Sequence, residues 1–173
     1  LIIILLLVEF VSFYFVIKTM NGIRIWIAAE DYWTKQQKNA HNALQQYGTT
    51  FDEFYYNQIP GFLSSYMGDH NARLEMEKPD MNYEYARKEL ILGGIHPEDT
   101  ADAIFIFRWF RNIYYIDRAV YYWSTADTKI EDFIAVSQQL HAIISSPLDK
   151  NDPHAQEKKT AEIASLVQQS NVL

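Results

Sequence analysis

The first residues of the chain, 1–47, read LIIILLLVEFVSFYFVIKTMNGIRIWIAAEDYWTKQQKNAHNALQQY, and two patterns follow each other in them. Residues 1–17 are almost wholly apolar and aromatic, with Glu9 as their single charge. A bilayer core about 30 Å thick takes about 20 such residues at about 1.5 Å each. No Met and no charged flank precede the block, so it reads as a transmembrane helix truncated at its start, occupying residues 1–20. A signal peptide would need a small-residue cleavage site, and Lys18-Thr19-Met20-Asn21-Gly22 is a poor one. A buried core helix would carry polar positions that this block lacks. The second pattern is a seam: Trp26, Ala29, Trp33, Gln36, Ala40, Ala43 and Tyr47 alternate at three and four residues, as in a coiled-coil-like helix. Anchor and seam are expected to form one continuous helix, closed by Gly48.

Working outward, Thr49 and Thr50 are expected to cap a next helix, with Asp52 and Glu53 at its positive end. The block 51–77 carries Ile59-Pro60-Gly61 and Gly68, which predicts two shorter helices rather than one. Pro79 and Asp80 are expected to start a helix that reaches Leu92 and stops at Gly93-Gly94. Pro97 is expected in the first turn of another helix, with Glu98, Asp99 and Asp102 where the helix dipole favours acids. That helix carries Ile104, Phe105, Phe107, Trp109 and Phe110, apolar nearly all round, which predicts burial on more than one side. Ile116, Ala119, Trp123, Ala126, Ile130, Phe133, Ser137, Leu140 and Ile144 then hold three-four spacing, predicting one straight helix over 115–146 that Pro147 ends. A polar connector over 147–153 leads to an amphipathic helix over 155–172 with Ile163, Leu166 and Val167.

Gly and Pro are scarce, at 6 and 5, and no run of alternating β-branched residues occurs. The fold class is therefore all-α: an elongated, four-helix-bundle-like domain of two long helices plus shorter broken ones, preceded by the transmembrane helix. The expected division is an anchor at 1–20, an extracytoplasmic domain at 21–147, and a connector with the start of a return helix at 148–173. The small-large alternation of the two long seams makes them natural packing partners.

Composition narrows the chemistry. A net charge of −7, carried beyond the anchor, argues against nucleic acid or anionic lipid headgroups as partners. The absence of Cys excludes disulfides, thiol redox chemistry and thiolate metal sites. None of His41, His70, His96, His141 or His154 follows a Glu by three residues, the spacing of carboxylate-bridged metal bundles, and no His-Glu-x-x-His motif exists. No phosphate-binding glycine loop and no Gly-x-Ser-x-Gly elbow is present. No catalytic residue, metal site or cofactor is expected.

Arg108 and Arg111 flank Trp109 and Phe110 in an aromatic setting. Arginine there either pairs with a carboxylate, for which Asp117, Asp102 and Glu75 are candidates, or awaits an anion. Gly68-Asp69-His70-Asn71-Ala72-Arg73 reads as a capped turn, with Asp69 the cap and Arg73 an ion-pair partner on a helix face. The doublets Tyr55-Tyr56, Tyr114-Tyr115 and Tyr121-Tyr122 each put at least one hydroxyl near a polar surface or pocket.

Met67-Gly68-Asp69-His70-Asn71-Ala72-Arg73-Leu74-Glu75, Gly93-Gly94-Ile95-His96-Pro97-Glu98-Asp99, Ile106-Phe107-Arg108-Trp109-Phe110-Arg111, and Ile116-Asp117-Arg118-Ala119 with Trp123 follow one another along the chain. Together they resemble the conserved blocks of an N-terminal periplasmic helical sensor domain of bacterial membrane-bound diguanylate cyclases, phosphodiesterases and sensor histidine kinases. Ile95 stands where that family usually has Asn. The resemblance covers roughly residues 26–144 and implies reception. A ligand or periplasmic partner protein would shift the helices of an inner-membrane homodimer, and the anchor would pass the shift to a cytoplasmic output module missing from this fragment. The fragment itself would not be an enzyme. Resemblance and unusual chemistry together make Arg73, His96, Arg108, Trp109 and Arg111 the candidate ligand-binding residues, suited to a small anion such as a carboxylate. The competing expectation is a membrane-anchored structural or assembly subunit that docks a partner protein, favoured by large apolar stripes without a cavity.

Overall fold

A computed structural model describes residues 1–149 and 152–170. The protein is all-α: α1 Ile2–Thr50, α2 Glu53–Tyr56, α3 Ile59–Glu77, α4 Tyr83–Leu92, α5 Thr100–Phe110, α6 Tyr114–Ser145 and α7 Ala155–Ser170, with no strand among the described residues. The 49 residues of α1 run to about 74 Å at 1.5 Å per residue. Its N-terminal part is long and apolar enough to cross a membrane, and no residue of its most apolar stretch is fully buried inside the protein. The helix passes from that stretch into the seam without interruption, as expected of one continuous helix.

Helix ends differ in instructive ways from the expectations. Gly48 does not close α1; it lies within it, where a Cβ would fall 2.5 Å from Val167 Cγ2. The helix stops instead at Phe51, whose φ of +58° is left-handed, a conformation costing a non-glycine residue about 1–2 kcal/mol. Thr49 and Thr50 are the last residues of α1, their hydroxyls donating back to the Gln45 and Gln46 carbonyls, and Asp52 is the cap that accepts from Phe54 N. The break in 51–77 comes at Asn57-Gln58, so Pro60 sits in the first turn of α3, where its missing N–H costs nothing.

Gly68 does not interrupt α3. It is a contact point: a Cβ there would lie 2.5 Å from Gly93 N and 2.6 Å from the Glu89 carbonyl. Pro79 and Asp80 form a turn, and α4 begins at Tyr83 behind its cap Asn82, whose side chain accepts from Tyr85 N. Gly93-Gly94 ends α4 as expected, Gly94 taking φ +103° against the Tyr32 ring. Pro97 lies in the turn before α5 rather than in its first turn. The expected burial of α5 on several sides fails at Trp109, because only Ala103, Ile104, Ile106 and Phe107 form a buried apolar face. Ile95, the departure from the resembled pattern, is buried and its N–H donates to the Leu90 carbonyl at 3.0 Å. Part of the expected connector 147–153 and the end of the expected helix 155–172 lie outside the described residues.

The chain packs as two compact units interleaved along the sequence: Leu1–Thr34 with Ser64–Val120, and Lys35–Leu63 with Tyr121–Leu173. In the first, Ile25, Ala29, Tyr66, Met76, Leu90 and Phe107 are core residues, and Trp26 Nε1 donates to the Ala103 carbonyl at 3.2 Å. In the second, Ala40, Ala43, Leu44 and Tyr47 of α1 are buried, as are Ile130, Phe133 and Leu140 of α6 and Ile163 and Leu166 of α7. Leu140 also lies close to the α1 backbone at Gly48, so the two long seams meet within this unit.

Candidate functional site

The second unit holds an open cleft of about 330 Å³, within the size range of small-molecule sites. Helix α1 supplies Gln37, Lys38, Ala40, His41 and Asn42; α3 supplies Leu63, α6 Lys129, Ile130 and Phe133, and α7 Ser170. The seam positions Ala40, Ile130 and Phe133 form its apolar floor with Leu63. Residues one or two steps off the seams turn polar groups toward its rim. The Gln45 amide donates to His41 Nε2 at 3.0 Å, placing the imidazole proton on Nδ1, and the ring lies 6.4 Å from that of Phe133. Lys38 and Lys129 form no ion pair among the described residues. Two ammonium groups, an imidazole and two amides over an apolar floor suit a small organic anion with an apolar body.

Beside this cleft, in the same unit, a polar cluster joins the end of α1 to α6. Tyr47 Oη donates to Glu53 Oε1 at 3.0 Å and lies 2.8 Å from His141 Nδ1. The His141 ring stacks on Tyr56 at 4.0 Å and 5°. With the hydroxyl donating to Glu53, the phenol oxygen accepts from Nδ1–H of His141. Burial first, and then the Glu53 bond, push the Tyr47 phenol up to about 12. A phenol held so firmly protonated serves as a fixed donor rather than a base.

The sequence-predicted residues belong to the first unit, and the structure brings three of the five together. Arg73, Arg108 and Arg111 converge on the C-terminal end of α3. Arg73 Nη1 lies 3.3 Å from Glu77 Oε1, and Arg111 Nη2 reaches the same oxygen at 3.9 Å while its guanidinium covers the Phe107 ring at 5.8 Å. Arg108 donates to the carbonyls of Met76, Lys78 and Pro79 at 3.2, 2.7 and 3.5 Å. The carboxylate that meets Arg73 and Arg111 is Glu77. Of the candidates from sequence, Asp102 pairs with Lys18 at 3.2 Å and Glu75 with Lys78 at 2.6 Å, where the ammonium holds the Glu75 carboxyl below its usual range. Asp69 is no cap: it lies inside α3, buried against Gly93.

His96 stands apart from this cluster, exposed in a turn where its Nδ1 accepts from Glu98 N at 3.3 Å. Trp109 is 71% exposed. Among the described residues no three His, Asp or Glu side chains gather as metal ligands. Lys38, His41 and Lys129 escaped the sequence reading, although a signal existed. Lys38 and His41 flank the seam residue Ala40, and Lys129 precedes the seam residue Ile130, so two seams expected to pack already implied a basic rim. No protein-family model, curated protein or solved structure matches the chain.

Proposed function

We propose that this chain is the membrane-anchored input domain of a bacterial transmembrane signalling protein, its folded part in the periplasm, and that a small organic anion binds the cleft among α1, α3, α6 and α7. The observation that carries this reading is the cleft itself. Half its lining, Gln37, Lys38, Ala40, His41 and Asn42, comes from the helix whose other end is the apolar segment. A ligand favouring one arrangement of α1 against α6 and α7 would bias that helix, which is what coupling requires. A cationic cleft supports sensing over the assembly-subunit reading, which calls for apolar stripes without a cavity. The proposed role is binding and signal transfer by a homodimer rather than catalysis, with an anionic ligand as at the arginines read from sequence but on different side chains.

The test is a thermal-shift screen of the full chain in detergent against aliphatic and aromatic carboxylates. A cognate acid at about 100 times its Kd would contribute about 2.7 kcal/mol, raising Tm by about 5–10 °C. Lys38→Gln combined with Lys129→Gln is expected to abolish the rise. A rise that survives the double substitution and disappears with Arg108→Met would move the site back to the arginine cluster and sink the cleft assignment.

A further inference from the structure

Beyond the apolar segment, Tyr32, Tyr83, Tyr85, Trp109, Tyr114 and Tyr115 are exposed aromatics of the first unit, and the three most exposed of them lie where α5 turns into α6. Ile113, Tyr114 and Tyr115 are 48, 67 and 79% exposed and come one helical turn after the exposed Trp109. This corner is tied to one level of α1. Phe15 meets Phe105 edge-on at 5.9 Å and Phe110 at 5.8 Å; Lys18 pairs with Asp102 and lies over the Phe105 ring at 5.2 Å. Farther along, Trp26 meets Ala103 and Phe107. Helix α5 thus descends along α1 toward the apolar segment, and its C-terminal end, with the turn after it, is the part nearest that segment.

Lys18 is the first cation after the apolar run, and its pairing with Asp102 marks where charge leaves hydrocarbon. Phe15 lies three residues earlier, about 4.5 Å deeper along the helix. The rings that touch it, Phe105 and Phe110, therefore stand at the boundary between hydrocarbon and headgroups. The Trp109 ring lies 5.7 Å from that of Phe105, tilted by 35°, and extends the same surface outward. Trp and Tyr, with an apolar body and a polar tip, are the side chains that gather at this boundary. Between Phe105 and Arg118 there are three arginines and one aspartate, a local net charge of +2 in a chain of −7. The acidic balance of the chain as a whole argues against anionic headgroups, but this corner is a local cationic exception that fits them.

We propose that the α5–α6 corner, through Trp109, Ile113, Tyr114 and Tyr115, rests in the headgroup layer of the bilayer that receives the apolar segment of α1. The proposal depends on the membrane reading of that segment, and its occupant is an anionic lipid surface. The corner would fix the tilt of α1 at the membrane by a second point of attachment.

The chain has no Cys, so single labels can be placed cleanly. The full chain would be reconstituted in phosphatidylethanolamine–phosphatidylglycerol vesicles with an environment-sensitive fluorophore on Phe10→Cys, Asp31→Cys, Tyr115→Cys or Ile113→Cys. Depth is read from quenching by lipids carrying quenchers at different levels. The Phe10→Cys label is expected to be quenched by deep quenchers. Labels on Tyr115→Cys and Ile113→Cys are expected at about 15–20 Å from the bilayer centre. The label on Asp31→Cys, about 20 Å beyond Lys18 along α1, is expected to stay unquenched. Quenching at Phe10→Cys with none at either corner position overturns the proposal and leaves the anchor standing. No quenching at Phe10→Cys overturns the anchor reading, and this proposal with it. Corner labels shielded from water in proportion to protein density, but untouched by lipid quenchers, would assign the surface to a second copy of the chain and overturn the lipid assignment.

Discussion

Asp69 carries a carboxyl into the interior of the first unit, packed against the backbone of Gly93, and its Oδ1 has no hydrogen-bond partner among the described residues. Burial pushes this carboxyl up to about 8 from an ordinary 3.8. The folded protein thus holds a proton there that the unfolded chain releases between about pH 4 and 8. Stability is greatest below the unfolded value and falls as pH rises through the folded one, by at most about 1.4 kcal/mol per pH unit. Acid loss of the Glu75–Lys78 pair works in the opposite direction at lower pH. The clean window is therefore pH 5 to 8. There the unmodified chain is expected to lose Tm steadily, and Asp69→Asn, which keeps the shape without the charge, is expected to flatten the curve. An unchanged slope in the variant would mean that the carboxyl is ionised and solvated. The sequence could not announce this residue. A Gly-Asp pair is the ordinary spelling of a turn, and only the arrival of Gly93 from another helix makes Gly68 a contact and Asp69 a buried acid.

At the level of elements, periodicity told most of the story and punctuation told less. The seams from Trp26 to Tyr47 and from Ile116 to Ile144 were legible because three-four spacing reports burial directly, and the described burial follows them closely from Ala40 and Ile130 onward. Glycine and proline were ambiguous: Gly48 and Gly68 read as stops but lie inside helices, each pressed by a neighbour. Arg108 shows the same limit for charge. Its place among aromatics suggested a ligand, yet its three donated hydrogen bonds go to Met76, an orphan carbonyl in the last turn of α3, and to Lys78 and Pro79 in the turn that follows. Arg108→Met keeps the apolar stem and removes the donors. It is expected to lower unfolding free energy by about 1–2 kcal/mol in urea denaturation, with no effect on the carboxylate-induced thermal shift. A lost shift in a folded variant would return Arg108 to the ligand.

For the molecule as a whole, the apolar segment is part of the folded protein as well as a candidate span. Phe15 packs on Phe105 and Phe110, so removing residues 1–17 takes a ring from each of two contacts. Aromatic pairs contribute about 0.5–1.5 kcal/mol apiece beyond area burial. A chain beginning at Lys18 is expected to lose about 1–3 kcal/mol and to bind a hydrophobic dye where the full chain in detergent does not. Equal stability of the two would show that Phe15 contributes nothing to the fold. The cleft was the least legible feature of all, because it depends on side chains from four helices whose sequence separation no local pattern bridges.

The interleaving of the two units sets an order for synthesis. Neither unit is a continuous stretch: the first needs residues up to Val120, and the second begins inside it at Lys35 and closes only with α7. A ribosome would therefore release the cleft-forming part of α1 long before its partners Lys129, Phe133 and Ser170 exist. During that interval the segment around Ala40 to Tyr47 has no apolar surface of its own unit to rest on beyond α2 and α3. Contacts so distant in sequence form late and slowly. The nascent helix, already held at one end by the membrane-compatible segment, would wait half-covered for α7.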